Sequence, residues 1–119
     1  MLPQDEFFAG QPLARQIFEA VRAAVDAAGP AQLRASKSQL AFWRRRPFAA
    51  VWRPGQYLRG PAAPLVLTLF LRRRIDSPRW KEVVEPAPGR FTHHLELFDP
   101  AGVDDEVRDW LRLAYAGAE

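Results

Sequence analysis

The chain has 119 residues, of which 48% are hydrophobic and 26% charged, and it carries a net charge of +3 at neutral pH. This length suits a single domain, residues 1–119, and is too short for two well-formed cores. The sequence contains no cysteine, which excludes disulfides and cysteine-bound metals. The N-terminus is acidic where a secretion signal would be basic, and no apolar run approaches the roughly 20 residues of a membrane span. We therefore expect a cytoplasmic protein with no membrane partner.

Positive charge is concentrated in the middle of the chain. Residues 34–90 hold thirteen Arg or Lys against three acids, whereas residues 1–33 and 91–119 sum to −2 and −5. Fifteen of the seventeen cations are Arg, the side chain suited to bidentate contacts with anions. A GC-rich genome is the alternative explanation for this bias. If the chain has an anionic partner, the middle segment is where we expect it to bind.

Two amphipathic helices are predicted, one toward each end of the chain. From Pro12 to Ala28 apolar residues recur every three or four positions, and Gly29 and Pro30 end the pattern. The second helix follows Val103 and has acids in its first turn, where the helix dipole favours negative charge. Each helix has one apolar face, so each needs a surface to cover.

Between the helices the apolar pattern changes to strict alternation, which predicts β-strands. The five predicted strands lie near Ala31–Ser36, Gln39–Arg44, Phe48–Arg53, Leu65–Arg72 and Phe91–Phe98. The stretch 72–90 is interpreted as a long loop with room for one helical turn after Ser77. The predicted fold is α+β, a two-layer α-β-β-β-β-β-α arrangement in which an antiparallel sheet of about five strands is flanked by an N-terminal and a C-terminal helix.

The direction of the strands decides where the arginines lie. If neighbouring strands alternate in direction, the second and fourth strands end, and the fifth begins, at the same end of the sheet. This end, which we call the arginine rim, comprises Arg44, Arg45, Arg46, Arg72, Arg73, Arg74 and Arg90. Guanidinium groups grip phosphate in a fork, and a converged basic rim attracts polyanions, although arginines at strand ends also serve solubility and edge protection. Trp43 or Trp52 would offer a stacking surface for bases if either lies on the sheet face without helices.

A second group of polar residues surrounds the long loop. On a strand His94 and Glu96 share a face while His93 points to the other, so this run supplies at most two metal ligands, and we expect no metal and no cofactor. The serines on either side of Lys37 are ordinary turn formers, although the combination is also found in serine-lysine hydrolases. Trp80 either covers an open sheet edge or binds a ligand. The candidate pocket between sheet and loop comprises Lys37, Ser38, Trp80, Lys81, His93, His94 and Glu96.

Five segments of the chain resemble a known family. They are "SKSQLAFWRRRPFAAVW", "PLVLTLFL", "SPRWKEVVEP", "HHLEL" and "DDEVRDWLRLAY", and together they span about Phe7 to Tyr115. In this order they resemble the uncharacterised bacterial domain of unknown function 5655, whose most recognisable part corresponds here to Lys37, Ser38, Arg44–Arg46 and Phe48. The resemblance implies a small α+β domain, found alone or joined to larger, sometimes DNA-associated, proteins. It transfers no catalytic residues.

Most catalytic signatures are missing from the sequence, among them the phosphate-binding glycine loops, GxSxG and HExxH. We therefore expect a binding module rather than an enzyme, one whose arginine rim engages nucleic acid or another acidic partner. Two alternatives stay open. One is a small-molecule-binding or hydrolytic protein that uses the candidate pocket, and the other is a protein-interaction subunit or homodimer with exposed aromatic residues at its interface.

Overall fold

A computed structural model of the chain describes residues 2–56 and 60–119. These residues form helices α1 (Pro3–Phe7), α2 (Pro12–Ala28) and α3 (Asp105–Ala116), and strands β1 (Gln32–Ala35), β2 (Leu40–Trp43), β3 (Pro47–Trp52), β4 (Leu65–Leu71), β5 (Glu82–Ala87) and β6 (Arg90–Leu97). Two short 3-10 helices, Pro54–Gln56 and Pro100–Gly102, lie in the connections. No helix in this part of the chain is long and apolar enough to cross a membrane.

The strands form one antiparallel sheet in the order β1-β2-β3-β4-β6-β5. The predicted α+β class and the antiparallel sheet between two helices are confirmed. The sheet has a sixth strand, β5, in the stretch predicted as a loop, where it pairs with β6 as an outer strand. The expected helical turn after Ser77 is instead a turn in which the Arg79 N–H donates to Ser77 Oγ at 3.1 Å.

One face of the sheet holds the core, because alternate residues of each central strand point toward the helices. On β4 these are Leu65, Leu67, Leu69 and Leu71, and the paired residues of β3 and β6 continue the same layer, in which buried His93 lies opposite Leu69. Both long helices contribute to this layer, α2 through Ile17, Phe18 and Val21 and α3 through Val107 and Leu111. The protein therefore has two layers, with the helices together on one face.

The ends of the long helices follow from local chemistry. Pro12 occupies the first turn of α2. Gly29 ends this helix with a positive φ of 150°, a backbone conformation that residues other than glycine rarely adopt. At the start of α3 the Asp104 carboxylate accepts the Val107 N–H at 3.1 Å, an N-cap contact that satisfies a free amide. Helix α1 has five residues and was not predicted, because so short a segment shows no periodic pattern.

Candidate anion-binding site

The arginine rim is assembled by the strand directions. Strands β2, β3, β4 and β6 pair antiparallel in succession, so the β2–β3 turn, the end of β4 and the start of β6 lie at one end of the sheet. Residues 44–46, 72–74 and 90 occupy these three positions. The predicted alternation of strand directions is confirmed.

Two rim arginines bind the end of α3. Arg44 Nη1 donates to the Tyr115 carbonyl oxygen at 2.8 Å, and its guanidinium lies 4.0 Å from the centre of the Tyr115 ring. Arg72 Nε donates to the Gly117 carbonyl oxygen at 3.0 Å. The last carbonyls of a helix lack partners within it and carry partial negative charge. Arg44 and Arg72 therefore hold the last helix against the end of the sheet.

Four other rim arginines keep their guanidinium groups available. Arg45, Arg46, Arg73 and Arg90 are exposed, and none forms a side-chain hydrogen bond or ion pair with another residue in the described part of the chain. Arg74 is also exposed and faces Asp76 at 3.6 Å, a separation at which a surface pair contributes little. The rim thus combines two arginines that stabilise the fold with several that are free to bind an anion.

A cleft of about 440 Å³ opens at this end of the sheet. Its floor is apolar and includes Leu71, Phe91 and Ala118, and Arg46, Arg72 and Arg90 also line it. The C-terminal turn of α3 closes one side, through Ala114 and Gly117. Sequence reasoning missed this cleft because its walls come from four separate parts of the chain.

The opposite end of α3 is where the acids collect. Arg79 Nη1 donates to both Asp104 carboxylate oxygens, at 3.1 and 3.0 Å, and to Glu106 Oε1 at 2.9 Å. The hydrogen bond from the Val107 amide, and then Arg79, lowers the pKa of Asp104. Since α3 has 12 residues, its acidic start lies about 18 Å from the end that contacts the rim. The acidic start of α3 and the arginine rim therefore lie at opposite ends of this helix, while one acid, Glu119, lies at the rim with its Oε1 3.9 Å from Arg44 Nη2.

His93 lies in the core, fully buried, beneath Trp80. The Ile75 N–H donates to His93 Nε2 at 3.1 Å, so the imidazole proton sits on Nδ1, which is 3.2 Å from the Phe91 carbonyl oxygen. The Trp80 ring is 4.8 Å from His93 and 4.2 Å from Trp110. Burial lowers the pKa of His93. Trp80 thus packs as a cover over the core.

His94 lies on the other face of the sheet, as the alternation predicted. Its Nδ1 is 2.8 Å from Thr68 Oγ1, which accepts the Trp52 Nε1–H at 2.9 Å, so the contact crosses three strands. Burial lowers the pKa of His94, although Glu82 opposite acts to raise it. A groove of about 310 Å³ adjoins His94 and also includes Ser38. Glu96 is on the same face, half-buried beside Val66 on β4.

The remaining residues of the candidate pocket do not gather at one place. Lys37 is exposed in the β1–β2 turn, at the end of the sheet opposite the rim, and lines a separate recess with Arg53 and Glu6. Ser36 Oγ accepts the Ser38 N–H at 3.3 Å, an ordinary turn contact. Lys81 is exposed just before β5, where its backbone N–H donates to the His94 carbonyl oxygen at 2.8 Å. Of the predicted set, Ser38 and His94 line one groove, Lys81 pairs with His94 through the backbone, and Trp80 packs on His93 on the other face, so the seven residues do not form one pocket.

The tryptophans considered for base stacking do lie on the face without described helices. Trp43 pairs with Gln32, and Trp52 pairs with Val66, both on this face. The Arg34 guanidinium already lies 3.9 Å from the centre of the Trp43 ring, and Trp52 is engaged with Thr68. Within residues 2–56 and 60–119 no group of three or more His, Cys, Asp or Glu is placed to hold a metal ion.

The fold and the rim define a small two-layer α+β domain with a basic end. The chain belongs to the family described as Domain of unknown function (DUF5655), whose model matches residues 4–117. The resemblance noted in the sequence is thereby confirmed over nearly the whole chain. No curated protein and no solved structure matches it.

Proposed function

We propose that this protein is a non-enzymatic binding module that engages the phosphate backbone of a nucleic acid through its arginine rim. The observation that carries this proposal is the group of exposed guanidinium groups without side-chain partners, Arg45, Arg46, Arg73 and Arg90, at one end of the sheet. Like charges gathered at one place repel each other, and a bound polyanion relieves that repulsion.

The distribution of acids supports the same function. The carboxylates of Asp104 and Glu106 are held by Arg79 at the far end of α3, so they do not neutralise the rim. Arg44 and Arg72 also offset the negative end of α3 where it meets the sheet. Two acids do lie at the rim, Glu119 at 3.9 Å from Arg44 and Asp76 at 3.6 Å from Arg74. An approaching phosphate therefore meets positive charge at the four rim arginines that have no ion-pair partner among the described residues.

The test is fluorescence anisotropy with labelled single-stranded DNA, duplex DNA and RNA at several salt concentrations. Four available arginines predict a log-log salt slope of about −3 to −4 on duplex, at roughly 0.9 per phosphate contacted. The double reversal Arg45→Glu and Arg73→Glu removes two of these contacts. It should lower the affinity for every sequence and make the slope shallower by about two.

The matched control reverses two exposed lysines away from the rim, Lys37→Glu and Lys81→Glu. It changes the net charge by the same amount, so it separates a local binding surface from a general effect of charge. The proposal requires the control to retain most of the affinity. Flat titrations of the native protein at low salt, or equal losses in the two double variants, would refute it.

A further inference from the structure

The cleft beside the rim has an apolar floor, which binding of a phosphate backbone does not require. A nucleic-acid backbone needs accessible cations, and exposed Arg45 and Arg73 supply them without lining the cleft. The cleft floor consists of Leu71, Phe91, Ala118 and neighbouring apolar atoms, which a backbone phosphate would leave in water. A cavity of about 440 Å³ lies within the range of roughly 300–1,000 Å³ typical of small-molecule sites.

The charge around the cleft favours an anion. Arg46 and Arg90 line it and have no side-chain partner in the described part of the chain, and Arg72 adds a third positive charge. The carbonyl ends of α3 would repel an anion, but the hydrogen bonds from Arg44 to Tyr115 and from Arg72 to Gly117 offset them. Two free guanidinium groups therefore lie beside an apolar floor.

We infer that this cleft binds a small amphipathic anion, that is, an acidic group carried on an apolar ring or short chain. The acidic group, a carboxylate or a phosphate, pairs with Arg46 and Arg90. The ring or chain lies against Leu71 and Phe91, where its removal from water adds affinity. This goes beyond the proposed function, with which it shares Arg46 and Arg90.

The experiment is an NMR titration of the isotopically labelled full chain, followed through its backbone amides. Two matched pairs of probes are used: naphthalene-2-carboxylate against naphthalene-2-carboxamide, and adenosine 5′-monophosphate against adenosine. In at least one pair the anion should bind about tenfold more tightly than its neutral counterpart, as expected for two charge-assisted contacts at a partly exposed site. A preference for the anion in the naphthalene pair indicates a carboxylate ligand, and a preference in the adenosine pair indicates a nucleotide.

The shifted amides should lie around the cleft, at residues 70–72, 90–92 and 117–118. The double variant Arg46→Gln and Arg90→Gln should lose the preference for the anion and retain the native spectrum elsewhere, because both side chains are exposed. The control Arg45→Gln and Arg73→Gln leaves the cleft residues intact and should keep the preference. For a series of alkyl carboxylates, affinity should rise about fourfold for each methylene that the floor buries.

Three results would each overturn the inference: no saturable shift with either anion, equal affinity for anion and neutral counterpart, or a preference that persists in the Arg46 and Arg90 variant. Oligonucleotide binding is measured on the same variants. If oligonucleotides bind and the small anions do not, the inference fails and the proposed function stands. If the small anions bind and oligonucleotides do not, the proposed function fails and the inference stands.

Discussion

Replacing Trp80 with alanine removes the cover from His93 and tests how this part of the core is held. The Trp80 ring contacts the rings of Trp110 and His93, and its Nε1–H donates to the Ile75 carbonyl oxygen at 2.9 Å. The hydrogen bond contributes about 1 kcal/mol and each ring pair about 0.5–1.5 kcal/mol. Trp80→Ala should therefore destabilise the protein by about 2–4 kcal/mol, a fall in Tm of roughly 10 °C.

The same substitution should change the dependence of stability on pH. In the folded protein burial holds the pKa of His93 below its ordinary value of about 6.5, so the unfolded chain takes up the proton first. The stability contributed by neutral His93 is full above about pH 6.5 and is lost as the pH falls toward the folded-state pKa. Trp80→Ala exposes the imidazole of His93 to water, which raises its pKa toward the ordinary value. The variant should therefore lose less stability than the native protein as the pH falls. His94, whose pKa burial also lowers, keeps its own contribution in both proteins.

The measurement is urea unfolding followed by far-UV circular dichroism at about pH 8 and about pH 5. The difference in stability between native protein and Trp80→Ala should be largest at the higher pH and narrower at the lower one. Trp80→Phe is the matched control, because it retains a ring beside His93 but loses the Nε1–H donor and part of the indole, so it should cost about 1–2 kcal/mol and stay more stable than Trp80→Ala. A Trp80→Ala protein as stable as the native one, or a difference that stays constant with pH, would refute this reasoning.

Three further substitutions test contacts away from His93. Arg79→Ala frees two carboxylates and a carbonyl at the start of α3 and should cost about 1–2 kcal/mol in urea unfolding; an unchanged midpoint would contradict this. Gly29→Ala should cost about 1–3 kcal/mol, because an added Cβ would lie 2.3 Å from the Tyr115 hydroxyl oxygen at a positive φ; native stability would show that neither constraint operates. Arg44→Ala removes the hydrogen bond to the Tyr115 carbonyl oxygen, so it should speed amide hydrogen exchange in the last turn of α3 and cost about 1 kcal/mol. Unaltered exchange there would show that this contact does not hold the last turn.

The elements with strong periodic patterns could be predicted from the sequence. The helix pattern starting at Pro12 and the alternation of Leu65–Leu71 gave elements that the structure confirms. Strand β5 was missed because it is an outer strand: its sequence "EVVEPA" is mostly exposed, lacks an apolar alternation and contains Pro86. A strand that pairs with only one neighbouring strand buries few of its side chains, so its sequence needs little hydrophobic alternation. The strongest sequence signal for a strand was therefore absent from β5.

The rim was predictable only in part. Alternating strand direction was enough to place its residues at one end of the sheet, and the two-residue period was enough to put His93 and His94 on opposite faces. The roles of Arg44 and Arg72 depend on where α3 ends relative to the sheet. Arg44 and Tyr115 are 71 positions apart in the chain, and no local pattern relates residues at that distance. Separating structural arginines from available ones therefore required the tertiary fold.

The two outer strands limit how another molecule can approach. An outer strand presents unpaired amides and carbonyls that can template an added strand from another chain. Here β1 has only four residues, and the register of β5 is irregular between Val84 and Ala87, where Pro86 also lacks an amide hydrogen. Neither side offers a long, regular template. Extension of the sheet by a strand from a peptide, or from a second copy of the chain, is therefore disfavoured.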